Sequence, residues 1–418
     1  MQAARRLAGE GFQVIVLEAS SEPGGRIHTL HPEGFSGPVE GGAEFIHGDL
    51  PLSLGLAAEA GAEVRPVKAQ MTRKAGREGP GAEPAGGDDW ESLMGADWDE
   101  LMRRMDEMAA DMPVADFMAQ HFGAQRYAAL RESVRRFAEG YDLADLHRVS
   151  TRSLYREWSR EGEEEEYRVT GGYRRLIDFM VEDLRRKGGE LYLSSPVTDI
   201  AWNEGRVEVW TMGGKVYGAG ALVVSVSLGV LEMGLLRFSP ELPEIGQAVR
   251  QLGYGSVIKI LLEFRRPFWL EKKGKDRTLF VLSDQRVPTW WTQADDGSPL
   301  ITGWLAGEGM RHFQSLDTEG RLRGCIESLA AIFSLDAASL RQELAASLVL
   351  DWAGAPFVRG GYSYDTVEAE KARAVLSRSI DGTIWFCGEA LYEGEAPGTV
   401  EAALNSGLAV AEKIIAQS

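Results

Sequence analysis

The stretch that most constrains this chain is Phe12-Gln-Val-Ile-Val-Leu-Glu18, a short β-branched run ending in an acid, directly after a helical segment at 2–9 closed by Gly11. A continuous apolar run of this length reads as a buried parallel strand. Helix, turn, then strand with a terminal carboxylate is the second half of a dinucleotide-binding β-α-β unit, in which the acid hydrogen-bonds a ribose. The glycine turn that cradles the phosphates lies about 20 residues before that acid. Here that position falls ahead of Met1, so the sequence predicts an α/β, Rossmann-like fold that lacks its first strand and G-x-G-x-x-G turn.

The other end of the chain carries a partner for this unit. Ile384-Trp-Phe-Cys-Gly-Glu389 reads as a buried strand and turn, a linker holds Glu393, Glu395, Pro397 and Gly398, and Thr399 opens a helix with a small-residue face. The first N–H groups of such a helix are free for an electron-rich ligand. Alone, the stretch is an ordinary β-turn-α unit. Paired with the N-terminal run, it reads as a cofactor seat.

At 418 residues the chain is long enough for two domains. The net charge of -18 argues against a nucleic-acid or anionic-membrane partner, since like charges repel unless a basic patch is segregated. Cys325 and Cys387 are too few for a disulfide framework, and the six histidines show no metal-ligand spacing, so no metal is expected. No apolar run is long enough to span a bilayer, and the start lacks a signal-peptide core. These features fit a cytoplasmic protein.

Between the ends, residues 70–88 are rich in Gly, Glu, Ala and Pro without a period and read as an exposed loop. From 89 to about 160, Trp98, Leu101, Met102, Met105 and Met108 recur at helical spacing, which predicts amphipathic helices with these side chains as core. Glu161-Gly-Glu-Glu-Glu-Glu166 reads as a solvated turn. A helix follows through Arg186, then strands at Leu191-Tyr-Leu, 197–202 and 206–210.

Three short motifs bear on a ligand. Gly24-Gly25-Arg26 lets the backbone approach a ligand and supplies a cation for phosphate, although a turn with a surface arginine reads equally well. Gly41-Gly42-Ala43-Glu44-Phe45-Ile46-His47-Gly48 combines small residues, against which a flat ring could lie, with aromatic and ionisable ones. Gly-Ser-Val-Ile-Lys259, followed by Pro267-Phe-Trp269, places a lysine in an apolar strand, where a lysine ordinarily points to solvent.

Together with Leu17-Glu18-Ala19 and the C-terminal stretch, these motifs resemble the flavin-containing amine oxidases: monoamine oxidases, polyamine oxidases and lysine-specific histone demethylases. The resemblance covers nearly the whole chain. It implies an FAD domain from 1–70, 171–235 and 375–418, and an α+β substrate domain from 71–170 and 236–374. It implies cofactor contacts from Glu18 (ribose), Gly25 and Arg26 (phosphates), Gly42, Ala43, Glu44 and Phe45, Val197 (adenine), Glu389, Thr399 and Val400. Ser20 stands where the family often has arginine. Lys259 matches the lysine that reaches flavin N5 through a water.

Tyr362, in Arg359-Gly-Gly-Tyr362, matches an aromatic residue beside the flavin. Gly361 occupies the position of the cysteine that carries a covalent flavin in monoamine oxidases, which implies non-covalent FAD. Thr399 falls where a second cage aromatic is common, and His47 matches a residue that binds the distal amine in polyamine oxidases. The implied reaction moves hydride from the amine α-carbon to flavin N5 and gives imine, aldehyde and hydrogen peroxide, with molecular oxygen as acceptor and polyamines ahead of monoamines. Two rivals stand beside it. One is an L-amino-acid oxidase, with Arg359 or Arg136 clamping the carboxylate, and the other is an inactive remnant.

Overall fold

The computed structural model describes residues 1–67, 69–74, 97–160, 165–271, 278–293 and 297–417. Helix Gln2–Gly9 buries Ala3, Ala4, Leu7 and Ala8 along one face. Ala3 and Leu7 pack with Val410, Ala411 and Ile414 of the C-terminal helix Val400–Ile415 and with Trp385 and Cys387. The two ends of the sequence therefore form one structural unit. This agrees with the interleaving that the resemblance implied.

Strand Ile15–Leu17 runs parallel to Glu190–Tyr192, and Leu222–Val224 runs parallel to Ile384–Phe386. The apolar run at 12–18 departs from expectation here. Only three residues form strand, and Ile15 is 46% exposed, because among the described residues the strand is paired along one edge and Ile15 lines a large cleft. The predicted helix appears as Arg174–Arg186. The strands that follow, Val197–Asn203 and Arg206–Thr211, join Val216–Ala219 and Arg237–Ser239 in a four-stranded sheet.

A six-stranded sheet runs in the order Leu344–Asp351, Val257–Phe264, Leu300–Ala306, Thr289–Thr292, Thr278–Ser283, Ala69–Lys74. Its pairs are antiparallel except the last. Residues 70–74, expected in a loop, are thus the sheet's outer strand. Their backbone groups find partners on 278–283 that composition could not announce, and residues 75–88 of the expected loop lie outside the described residues.

All eight residues of Val257–Phe264 are buried, so alternation sorts them by face. Ile258, Ile260, Leu262 and Phe264 pack with Leu322, Cys325, Ile326 and Leu329 of helix Thr318–Phe333. Each such aliphatic side chain contributes about 1.5–3 kcal/mol by leaving water. Val257 and Lys259 consequently face the opposite side, where Val257 meets Leu143, Ala306 and Trp352. Fold geometry alone thus turns Lys259 away from the sheet's main core.

The helical region expected from 89 onward comprises Trp98–Asp106, Val114–Phe122, Ala128–Gly140 and Thr151–Trp158. Trp98, Leu101 and Met105 are buried in their shared core, with Met102 and Met108 at its edge. Residues 161–164 of the acidic turn lie outside the described residues. Among the described residues no helix is long and apolar enough to cross a membrane, and no group of three or more His, Cys, Asp or Glu could hold a metal.

Candidate active site

A continuous cleft of about 3170 Å³ separates the unit built from the chain ends from the six-stranded sheet. Every residue singled out from the sequence lines it, from Glu18, Gly25 and Arg26 through Val197 and Lys259 to Tyr362, Glu389 and Val400. Arg136 and Arg359 line it as well. Arg136, however, is paired with Glu132 at 2.6 Å, one turn away on its own helix.

At the N-terminal end, a Glu18 carboxylate oxygen accepts from the Ser20 N–H at 2.8 Å, and burial pushes this carboxyl above the usual range. Gly25 has φ +60 and faces open space. Gly42 serves a different purpose, since a Cβ there would lie 1.8 Å from the Arg26 carbonyl oxygen. Arg26 donates through Nη1 to the Gly361 carbonyl at 2.6 Å and to Glu389 at 2.8 Å. Glu389 also accepts from the Ser363 hydroxyl at 2.6 Å. Arg26 and Glu389, 363 positions apart, are therefore one ion pair, in which Glu389 is 5% exposed and the Arg26 side chain 29%.

The C-terminal helix begins at the cleft. Thr399 caps it, accepting from the Ala402 N–H at 3.2 Å and donating to the Ala396 carbonyl at 2.7 Å. Val400 is the first helical residue, so its N–H has no carbonyl one turn back to bond. Glu401 turns elsewhere: its carboxylate accepts from the N–H groups of Leu52 and Ser53 and from the Ser53 hydroxyl, which caps helix Pro51–Glu59.

On the opposite wall, Lys259 is 1% exposed and donates to the Gly42 carbonyl at 3.0 Å and to Glu44 at 2.8 Å. The other Glu44 oxygen accepts from Arg168 at 2.9 Å, Trp291 Nε1 at 3.0 Å and Gln293 at 2.8 Å. Burial alone would raise the Glu44 carboxyl, but Lys259 and Arg168 hold it down to about 2. Glu44 was expected against the cofactor, yet protein donors engage both its oxygens. A buried carboxylate requires such partners.

Aromatic rings continue the wall. Tyr362 stacks on Trp304 at 6.4 Å and 25°, Trp304 neighbours Trp291 at 5.9 Å, and Phe280 and Phe45 extend the row to His47. The Tyr362 hydroxyl donates to the Tyr141 carbonyl. Gly398 abuts the Tyr362 ring, which sets Thr399 beside it in sequence. His47 Nδ1 lies 3.2 Å from Glu166, whose strand pairs with its own.

Trp291, Trp304, Arg168 and Gln293 were not found from the sequence. A signal existed for two of them, since Trp291 and Gln293 stand two apart in Thr-Trp-Trp-Thr-Gln, at the spacing that puts extended residues on one side. Trp304 needed the pairing register, in which it lies opposite Lys259.

The chain is 27% identical over 448 residues to lysine-specific histone demethylase 1B of Mus musculus, covering 100% of this chain and 52% of that protein. It thus spans about half the demethylase's length. It is also 27% identical to polyamine oxidase 2 of Arabidopsis thaliana, covering 99% of this chain and 85% of that one. In overall fold it is similar to a putrescine oxidase bound to putrescine, with TM-score 0.80 and 22% identity over 99% of this chain and 96% of that one. It is similar too to cyclohexylamine oxidase from Brevibacterium oxydans IH-35A, with TM-score 0.80 and 20% identity over 100% and 96%. The sequence profile of the flavin-containing amine oxidoreductases matches residues 1–415, and the chain belongs to that family.

Proposed function

We propose that this chain is an FAD-dependent amine oxidase that holds its cofactor non-covalently and acts on polyamine-type substrates with molecular oxygen as acceptor. The observation that carries the reading is the cleft itself: a partly exposed arginine and the first N–H of the C-terminal helix on one wall face a lysine beside a row of aromatic residues on the other. Arg26 would neutralise diphosphate charge, Glu18 would bond the adenosine ribose, and the Val197 backbone would meet adenine. Gly25, Gly42, Ala43 and Phe45 would give close backbone approach. Glu389 would approach the ribityl chain through Arg26, and the Val400 N–H would donate to a flavin carbonyl. Gly361 offers no thiol for a covalent link.

When bound, FAD supplies the acceptor for hydride from the amine α-carbon. The protein's part is to present a neutral amine. Tyr362 offers an aromatic face that accommodates the nitrogen without a carboxylate holding its proton, and Thr399 leaves the facing side open. Lys259 has a third N–H beyond the two bonds it makes, and this donor would hold a water. His47 and Glu166, at the far end of the aromatic row, would receive a distal ammonium. Two buried free cysteines fit a reducing compartment such as the cytoplasm.

The test is an anaerobic titration of the FAD-loaded protein followed by visible absorbance. Spermidine should bleach the flavin while benzylamine and leucine leave it oxidised. Bleaching by leucine alone would make the chain an amino-acid oxidase, and bleaching by a methyl-lysine peptide alone would align it with the demethylases.

A further inference from the structure

We infer that Glu44 is a positioning residue for Lys259, holding it as an ammonium with one N–H left for the cleft, so that Lys259 serves as a fixed donor and never as a base. The inference rests on the reading that places Lys259 at the reacting centre.

The geometry has three parts. First, the Lys259 ammonium has three donors, and two are consumed by the Gly42 carbonyl at 3.0 Å and Glu44 at 2.8 Å. Those two bonds fix the direction of the third. Second, Glu44 cannot turn away from Lys259, because its other oxygen is bonded to Arg168, Trp291 and Gln293 at 2.8–3.0 Å. Arg168 comes from the sheet containing 166–169 and Trp291 from the one containing 289–292, with Gln293 just beyond that strand, so the carboxylate is clamped from both sheets.

Third, Lys259 and Glu44 are buried together as an ion pair. Lys259 is 1% exposed and Glu44 7%. Glu44 stays ionised, since Lys259 and Arg168 outweigh the burial that would raise its carboxyl. A further acid near the pair is Glu40, itself bonded to Thr29 and to the Tyr173 N–H. Deprotonating Lys259 would therefore strip the nearest cation from a buried carboxylate, which low dielectric makes costly. The lysine also stands 5.4 Å from the Trp291 ring centroid, a second contact favouring the cation. Because Trp291 itself donates to Glu44, ring, carboxylate and ammonium hold one another in place.

The test uses Glu44→Gln, which keeps shape and removes charge, with Glu44→Asp as the conservative control. In apoprotein, competitive acetylation with acetic anhydride read by mass spectrometry reports the neutral fraction of Lys259. The neutral fraction at about pH 8 should rise at least about tenfold in Glu44→Gln and stay near wild type in Glu44→Asp. In FAD-loaded protein, flavin reoxidation should slow in Glu44→Gln and recover in Glu44→Asp. In the Lys259→Met background, Glu44→Gln should slow reoxidation no further.

Equal acetylation of Lys259 in wild type and Glu44→Gln would overturn the inference, as would flavin reoxidation in Glu44→Gln as fast as in wild type. The acetylation arm needs no flavin, so it stands even if the oxidase reading fails.

Discussion

The two walls of the cleft handle charge in opposite ways. On the sheet wall, Glu44 is bonded to Lys259, Arg168, Trp291 and Gln293 at 2.8–3.0 Å before any ligand arrives. On the wall built from the chain ends, Arg26 shares only one nitrogen with Glu389 and Gly361, the Val400 N–H has no intrahelical partner, and burial raises the Glu18 carboxyl. The first wall is preorganised and the second is waiting. Groups that must keep one orientation through a reaction are clamped by the protein, whereas groups that bind a large charged cofactor leave donors open.

The sharpest way to break this contrast is Arg26→Ala. It removes the open cation and strands Glu389, which is 5% exposed. Loss of a charged hydrogen bond of about 1.5–3 kcal/mol should weaken FAD binding about 10- to 100-fold, read by quenching of flavin fluorescence. Unchanged affinity would mean that the chain-end wall does not hold the phosphates.

A smaller effect separates the walls by pH. The Glu44 carboxyl is depressed to about 2, so its stabilising contribution is full above its ordinary value of 4.5 and fades as pH falls toward 2. The Glu18 carboxyl is raised, so its ionisation opposes folding above 4.5 and that opposition lessens in acid. The denaturant midpoint of Glu44→Gln should therefore lie below wild type at about pH 6 and converge on it toward about pH 3.5. Glu18→Gln should equal or exceed wild type at about pH 6. Parallel behaviour of the two variants would erase the distinction.

The contrast also explains what the sequence could disclose. The waiting wall is legible because its chemistry sits in local words: Leu17-Glu18, Gly24-Gly25-Arg26 and Thr399-Val400 each declare a turn or a helix start within a few residues. The clamped wall is assembled across distance. Arg168, Trp291 and Gln293 reach Glu44 over 124, 247 and 249 positions, and only strand register brings them together. Lys259 was visible as a lysine out of place in an apolar strand, but its partners were not. The strand at 69–74 was hidden for the same reason, since its only evidence is the neighbour it pairs with.

The most direct test of the account is to titrate the apoprotein with FAD and then denature the complex. The account predicts saturable binding of one FAD per chain, with the flavin wholly released into solution on unfolding. No binding at micromolar FAD, or flavin that stays attached to the denatured chain, would contradict it.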